Sequence, residues 1–487
     1  MRRFPSLALI AATALALGGC ERRRDEGPVV VSAIGSAPVL VDPARGRAET
    51  SSRLLLDSVA QGLVRFDANG QITPGLAERW TVLDEGRSYI FRLRDAEWSD
   101  GKRIVAADVV NALRRHLSVG SRSALSPYLA AIDEIVEMTP HVIEIRLTAP
   151  RPDLLKLFAQ PELAVLKTKP PAGTGPFRLI ERRPRWVMLR PAFDPARVAE
   201  DTEEPSPEQS VQLYGERASR AILRFLARES DLVTGGSFVD WPLVTGQQIA
   251  PANLRTDPAA GLFGLAVVNR EGFLADAQNR LAIAQAIDRA ALVAAYAQGW
   301  TEDAQLLPAQ LDSATPPTRP GWLALSPDER REGARARIAK WHTEQGSAPR
   351  LRIALPKGPG ATILFGFVGA ALQSVGVEPV RVGARDAADL RLIDAVAPFD
   401  SALWYLETAC QPCSAEARAK ITAAQTATTL SERAQHIAEA DLALAEDGAY
   451  IAIARPLRWH LVALRLRQWQ PNSRAWHPLN RLRRETP

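Results

Sequence analysis

Cysteine and histidine carry chemistry only at particular spacings, so they are read first. The 487-residue chain holds three cysteines and six histidines. Cys410 and Cys413 make a C-x-x-C. In a thioredoxin-like centre such a pair opens a helix early in a small domain, and one thiolate is the nucleophile. Here it falls late in a long chain, after "FDSALWYL" (399–406), which reads as a strand. A zinc site wants four ligands and two are at hand. A local disulfide, a redox pair and two free thiols all fit the spacing, and the disulfide is the plainest of them. The histidines, at 116, 141, 342, 436, 460 and 477, never stand four apart, so no helix turns two imidazoles toward one metal. No G-x-S-x-G, H-E-x-x-H or G-x-x-x-x-G-K-[ST] occurs, and "GTGPF" (173–177) lacks the third glycine of a dinucleotide fingerprint. These residues imply no catalytic centre, no metal and no cofactor.

The third cysteine has a different setting. Arg2 and Arg3 precede an Ala/Leu/Ile run from Phe4 to Leu17. It is too short to span a bilayer, which takes about 20 apolar residues, and has the size of a signal-peptide core. Leu17-Gly18-Gly19-Cys20 resembles a bacterial lipobox. The small glycines would admit a peptidase, and the Cys20 thiol would take a thioether-linked glyceride. Residues 1–19 are then a signal peptide, Cys20 the lipid anchor, and 20–28 a charged tether ending in Gly-Pro. Acyl chains on Cys20 would hold the chain at a membrane surface. The expected location is periplasmic and lipid-anchored; a plain secreted chain with a chance Cys20 is the alternative. Loss of Arg2 and Arg3 lowers the formal charge from +5 to +3. That is small for this length, and no basic helix with interleaved aromatics appears, so no nucleic-acid partner is expected. Export also permits the Cys410–Cys413 bridge.

The rest is globular: 46% hydrophobic and 24% charged. "VVVSAI" (29–34) and "GLFGLAVVN" (261–269) read as buried strands, and "SYIFRLR" and "VIEIRLT" alternate as half-buried ones. "SSRLLLDSVAQGLV" has helical spacing, and Asp108 is placed to cap "VVNALRRHL". The strongest single helix spans 275–299, with Ile283, Ile287, Ala291 and Ala294 on one face and Gly299 closing it. Strand, helix, strand over 351–382 implies a parallel βαβ unit. Residues 195–210, rich in Pro, Glu and Asp, read as a surface loop, and "AYIAIARPLRWHLVAL" supplies late strands. The class is α/β, and the separation of its βα-rich halves suggests two lobes.

One stretch carries a family likeness. "NGQITPGLAERW" (69–80) followed by "FRLRDAEWSDGKRIVAADVV" (91–110) resembles the signature region of family 5 extracytoplasmic solute-binding proteins. These are the oligopeptide-, dipeptide- and nickel-binding components of ABC importers. "GTGPFRLIE" (173–181), "NRLAIAQAIDRAALV" (279–293) and "FDSALWYLE" (399–407) are similar to later landmarks of that family, in the same order. The resemblance implies a two-lobe periplasmic-binding-protein fold of type II with an extra subdomain in lobe I. It assigns 29–50, 168–260 and 471–487 to the main part of lobe I, 51–167 to the inserted subdomain and 261–470 to lobe II. It implies a monomeric receptor, not an enzyme, that closes on a ligand by hinge motion and presents it to an ABC permease.

The resemblance also implies site residues. In peptide-binding members an aspartate three residues after a tryptophan holds the ligand's ammonium. Glu407 stands in that place after Trp404 and Tyr405, although Leu403 replaces the usual glycine and the following loop is shortened to "TACQPC". Ser36 after the first strand, Phe238 and Trp241, and Asn269 with Arg270 at the hinge are further candidates, Arg270 for a ligand carboxylate. Short peptides are the expected ligands. A nickel chelate, haem, an opine or a glycoside on the same fold, a degenerate receptor with a sensing or chaperone role, and an exported redox enzyme built on Cys410 and Cys413 are the alternatives.

Overall fold

A computed structural model describes residues 27–482 other than 47, 169–170, 193–203, 298 and 310. The signal segment, Cys20 and most of the 195–210 loop lie outside the described residues.

Two sheets carry the chain. In the first, Val29–Ile34 lies parallel between Val211–Glu216 and Leu232–Ser237, with Val31 opposite Leu213 on one side and Leu232 on the other. A strand flanked on both sides and covered on both faces needs a continuous apolar run, which is why "VVVSAI" does not alternate. Antiparallel strands extend this sheet to seven. The second sheet has five strands around Gly261–Val267, buried along its whole length. Its βαβ unit is the expected one: Arg350–Leu355, the helix Pro359–Ser374 and Glu378–Gly383, parallel with Arg350 opposite Glu378. A third, four-stranded antiparallel sheet contains Ser88–Leu93 and Val142–Leu147 and packs against the helix Ala106–Leu117.

Three local expectations are corrected. Asp108 is the third residue of its helix, and its carboxylate folds back to accept the Val105 N–H at 3.2 Å and the Trp98 indole at 3.3 Å. The single helix over 275–299 is two, Ala277–Ala286 and Arg289–Tyr296. Ile287 and Asp288 between them are extended, and Asp288 caps the second helix through the Ala291 N–H. The break turns the Arg289 guanidinium onto the carbonyls of Ala284, Ile287 and Ala452. Finally, "FDSALWYL" is not a strand: Ala402–Ala409 is a helix. Cys410 and Cys413 are joined by a disulfide in the turn between that helix and Ala415–Thr426. The bridge ties the short turn between these two helices.

The backbone passes between the two large sheets twice, between Thr256 and Gly261 and between Ala454 and Arg458. The second passage lies before position 470. A buried polar knot ties both passages. Asp257 Oδ2 accepts from His460 Nε2 at 2.7 Å and His477 Nε2 at 3.0 Å, and its Oδ1 accepts the Asn472 N–H at 2.9 Å. Burial opposes ionisation of Asp257, but the two imidazoles outweigh it and hold the carboxyl far below its usual range. Burial, then the neighbouring His460, pushes His477 down. Both shifts act in one direction. A carboxyl lowered in the fold stabilises above its unfolded pKa and loses that as pH falls; a lowered histidine costs stability once pH drops below about 6.5, where the unfolded chain takes its proton. Acid therefore loosens the crossing. Asp257→Ala should cost about 3 kcal/mol at pH 7 in urea unfolding, because two buried imidazoles lose their acceptor. A cost under about 1 kcal/mol would mean that the knot does not hold the passages.

Candidate functional site

The antiparallel subdomain and the helices of the second lobe face each other across a cavity of about 370 Å³. Each wall follows from local structure. On one side the helix Ala402–Ala409 presents Leu403 and Glu407, four residues apart and so on one face. Asp312 fixes that helix: its Oδ1 accepts the Ala402 N–H at 3.2 Å, and its Oδ2 accepts Arg433 Nε at 3.0 Å. Arg433 belongs to the helix Leu430–Asp447, whose buried residues Arg433, Ile437, Ala440 and Leu444 form one stripe. On the other side stand Tyr128 and Arg151, with Asp153 just before the short helix Leu154–Phe158. The Tyr128 ring meets Phe399 edge-on at 5.2 Å, and the Tyr89 hydroxyl donates to the Arg151 carbonyl at 2.6 Å.

Direct contacts close this gap. Arg151 Nη2 donates to the Gln425 carbonyl at 2.6 Å, Gln160 donates to the Pro398 carbonyl, and Asp400 pairs with both Lys156 and Arg474. The contacts narrow the cavity without sealing it, and burial shifts the charged groups of its wall. Burial pushes the Glu407 carboxyl up, against a hydrogen bond from Gln425 and the positive fields of Arg418 and Arg151. Burial likewise raises Asp153, against Arg433. Arg151 is brought down to about 10 by burial and by the neighbouring Arg433. Two wall atoms have no hydrogen-bond partner among the described residues: Asp153 Oδ1 and Arg433 Nη2. Both atoms are sealed inside the wall rather than open to the cavity.

Of the residues expected from the sequence, Glu407 lines this cavity. Trp404 and Tyr405 do not. On a helix each residue turns about 100° from the last, so with 403 and 407 facing the cavity, 404 and 405 enter the core, where their rings pack edge-on at 4.9 Å. Phe238 and Trp241 are core residues as well. Phe238 packs against Phe263 at 4.9 Å, and the Trp241 indole donates to the Tyr296 carbonyl at 2.6 Å. Asn269 donates its amide to Asp389 at 2.8 Å. Arg270 is bound by both oxygens of Asp447 and is not free to meet a ligand carboxylate. Ser36 is exposed on the loop after the first strand, where its N–H is held by Glu49 and its carbonyl by Ser51. Tyr128, Arg151, Asp153 and Arg433 were not anticipated. A signal for one of them exists: an arginine at 433 in step with Ile437, Ala440 and Leu444 puts a charge on an apolar stripe.

Residues 71–348, more than half of the chain, match the family described as bacterial extracellular solute-binding proteins, family 5 middle. Among curated relatives, the Escherichia coli K12 protein described as a probable deoxycholate-binding periplasmic protein, YgiS, is 40% identical over 96 residues, which cover 20% of this chain and 18% of that one. The periplasmic murein peptide-binding protein MppA of the same organism is 26% identical over 293 residues, 53% of each chain. The chain thus spans from under a fifth to about half the length of these relatives. Two solved structures share the fold along nearly their whole length. MppA superposes with a TM-score of 0.79 at 18% identity, covering 94% of this chain and 98% of that one. The Haemophilus influenzae OppA complex with the peptide RPPGFSPFR superposes with a TM-score of 0.77 at 16% identity, covering 94% and 99%. The two-lobe α/β architecture is that of these periplasmic binding proteins. With that fold, and with the family match running from the antiparallel subdomain into the second lobe, this chain is a member of the family 5 bacterial extracellular solute-binding proteins.

Proposed function

We propose that this protein is the substrate-binding component of an ABC importer and captures short peptides between its lobes. The observation that carries the reading is Glu407, a half-buried carboxylate lining a partly open inter-lobe cavity. A carboxylate kept from water is stabilised by a ligand ammonium through a charge-assisted hydrogen bond, worth about 1.5–3 kcal/mol. The murein peptide and RPPGFSPFR named for two relatives support a peptide as the ligand class. Inter-lobe contacts such as Asp400 with Lys156 and Arg474 fit a receptor whose closed shape is read by a permease. In this reading Cys20 carries the lipid that keeps the receptor at the membrane of the periplasmic space, near its permease.

Native mass spectrometry of the protein purified gently from its own compartment tests the ligand. A ladder of bound masses fitting short peptides is expected. One discrete non-peptide mass, or a metal isotope pattern, would replace the peptide with another solute. For the anchor, Cys20→Ala should move the protein from the membrane to the soluble fraction; retention in the membrane fraction would exclude Cys20 as the attachment.

A further inference from the structure

One cluster of metal-ligating side chains lies outside the cavity. Asp257, His460 and His477 come together although the two histidines stand 203 and 220 residues beyond the aspartate. Their side chains are at most 4% exposed. One ligand atom from each lies within 4.8 Å of the other two, and no other group of three is gathered this closely among the described residues. Both imidazoles turn Nε2 onto one carboxylate oxygen, Asp257 Oδ2, at 2.7 and 3.0 Å. The rings stand at 82° to each other with centroids 4.6 Å apart, so both nitrogens reach one point without the rings stacking. Asp257 is also a buried carboxylate with no lysine or arginine partner among the described residues, and a cation at Oδ2 offsets the cost of that burial. The ligand groups are held from behind. The Asn472 N–H fixes Asp257 Oδ1 at 2.9 Å, and the Thr234 hydroxyl meets His460 Nδ1 at 3.0 Å. Such outer partners orient the ligands of a metal. A hydroxyl both donates and accepts, so Thr234 serves either tautomer of His460. Trp469 packs on both rings, at 5.5 and 4.7 Å, and supplies an apolar shell.

We propose that this cluster is a structural site for a divalent transition-metal ion of the zinc class, held by Nε2 of His460, Nε2 of His477 and the carboxylate of Asp257. Two imidazoles and a carboxylate are donors that such ions take. On binding, each Nε2–H proton passes to Nδ1 of its own ring, Nε2 gives its lone pair to the ion, and Asp257 binds as the carboxylate, so no proton is lost from the imidazoles. Donors at about 2.0–2.1 Å from zinc stand roughly 3.3 Å apart, so the present 2.7 and 3.0 Å widen by about half an ångström or less. An ion in so closed a site is taken up as the chain folds and needs no open channel. It would tie the passage after Thr256 to the strand Arg458–Val462 and to the segment around His477 with coordinate bonds in place of hydrogen bonds. The site is separate from the cavity, and the receptor reading does not depend on it.

Refolding with metal tests this. The Cys20→Ala chain, free of that thiol and of any affinity tag, is stripped with chelator in urea, refolded with Zn²⁺ or Co²⁺ and dialysed. About one ion per chain should remain, and Tm should rise by about 5 °C or more over the metal-free protein. The Co²⁺ form should show two paramagnetically shifted imidazole N–H signals in its proton NMR spectrum. His477→Gln keeps an amide donor for Asp257 but loses the ring nitrogen, and it should retain less than about a tenth of the ion. Circular dichroism establishes that this variant is folded; should it not fold, the shifted imidazole signals of the Co²⁺-loaded Cys20→Ala chain carry the test. No retained ion, no rise in Tm, or full retention by His477→Gln would overturn the site. A solute carried in the cavity should be unchanged in His477→Gln. Loss of that solute together with the ion would place the metal with the ligand, which overturns this inference and leaves the receptor standing.

Discussion

Arg280→Ala should destabilise the fold by about 3–5 kcal/mol, close to the largest cost of a single side-chain truncation here. Arg280 is 2% exposed. Its Nε donates to the Asp447 carbonyl at 2.7 Å and its Nη2 to the Asp447 carboxylate at 2.7 Å. Nη1 donates to the carbonyls of Leu274 and Ala275, at 2.6 and 2.9 Å. Truncation strands those acceptors in the core and removes one of two arginines that hold Asp447 ionised. Burial alone would raise the Asp447 carboxyl; Arg270 and Arg280 together bring it below its usual range. The contrast is Arg270→Ala. Arg270 shares Asp447, but its side chain is 21% exposed, and its loss leaves Arg280 in place. It should cost about 1 kcal/mol and leave ligand affinity unchanged. Urea unfolding and titration of both variants separate the two. Equal small losses would show that the Arg280 network is not a keystone, and a drop in affinity for Arg270→Ala would return that residue to the ligand site.

Glu407→Gln should weaken binding of a free-amine peptide by tenfold or more and leave an N-acetylated analogue nearly unchanged. The side chain keeps its size and its Gln425 neighbour, so the change isolates the charge. Equal losses for both ligands, or none, would remove Glu407 from the site. The pH dependence supplies an independent readout. Burial raises the Glu407 carboxyl in the fold, so it takes its proton at a higher pH than the unfolded value of about 4.3. Affinity for an ammonium should therefore start to fall above the usual carboxylate range as pH is lowered. Stability of the ligand-free protein moves the other way. A raised carboxyl binds its proton more readily folded than unfolded, so its contribution to stability is full below the unfolded pKa and is lost as pH rises through the folded one. The amide that the substitution introduces does not titrate, and the Glu407-dependent part of both slopes should vanish with the carboxyl.

These two experiments divide along what the sequence could and could not settle. The buried strands at 29–34 and 261–267 were readable because a strand covered on both faces must be apolar throughout. The βαβ unit was readable because its periodicity changes from strand to helix and back within one stretch. Motif order along the chain sufficed for the family. Glu407 was legible from its spacing after Trp404. What it faces was not, since "FDSALWYLE" suits strand or helix equally by composition and only packing chose the helix. Arg270 looks like a ligand-ready cation in the sequence. Asp447, 177 residues away, takes it together with the buried Arg280, 167 residues from the same carboxylate. The same holds for Arg151, Asp153 and Arg433, which lie on two different lobes and become one wall only where Arg151 reaches across 274 residues of chain to Gln425. Local pattern determined the elements and the lineage of this protein. Which charged groups line the cavity was decided by tertiary structure alone, because a contact depends on distance in space and not on separation along the chain.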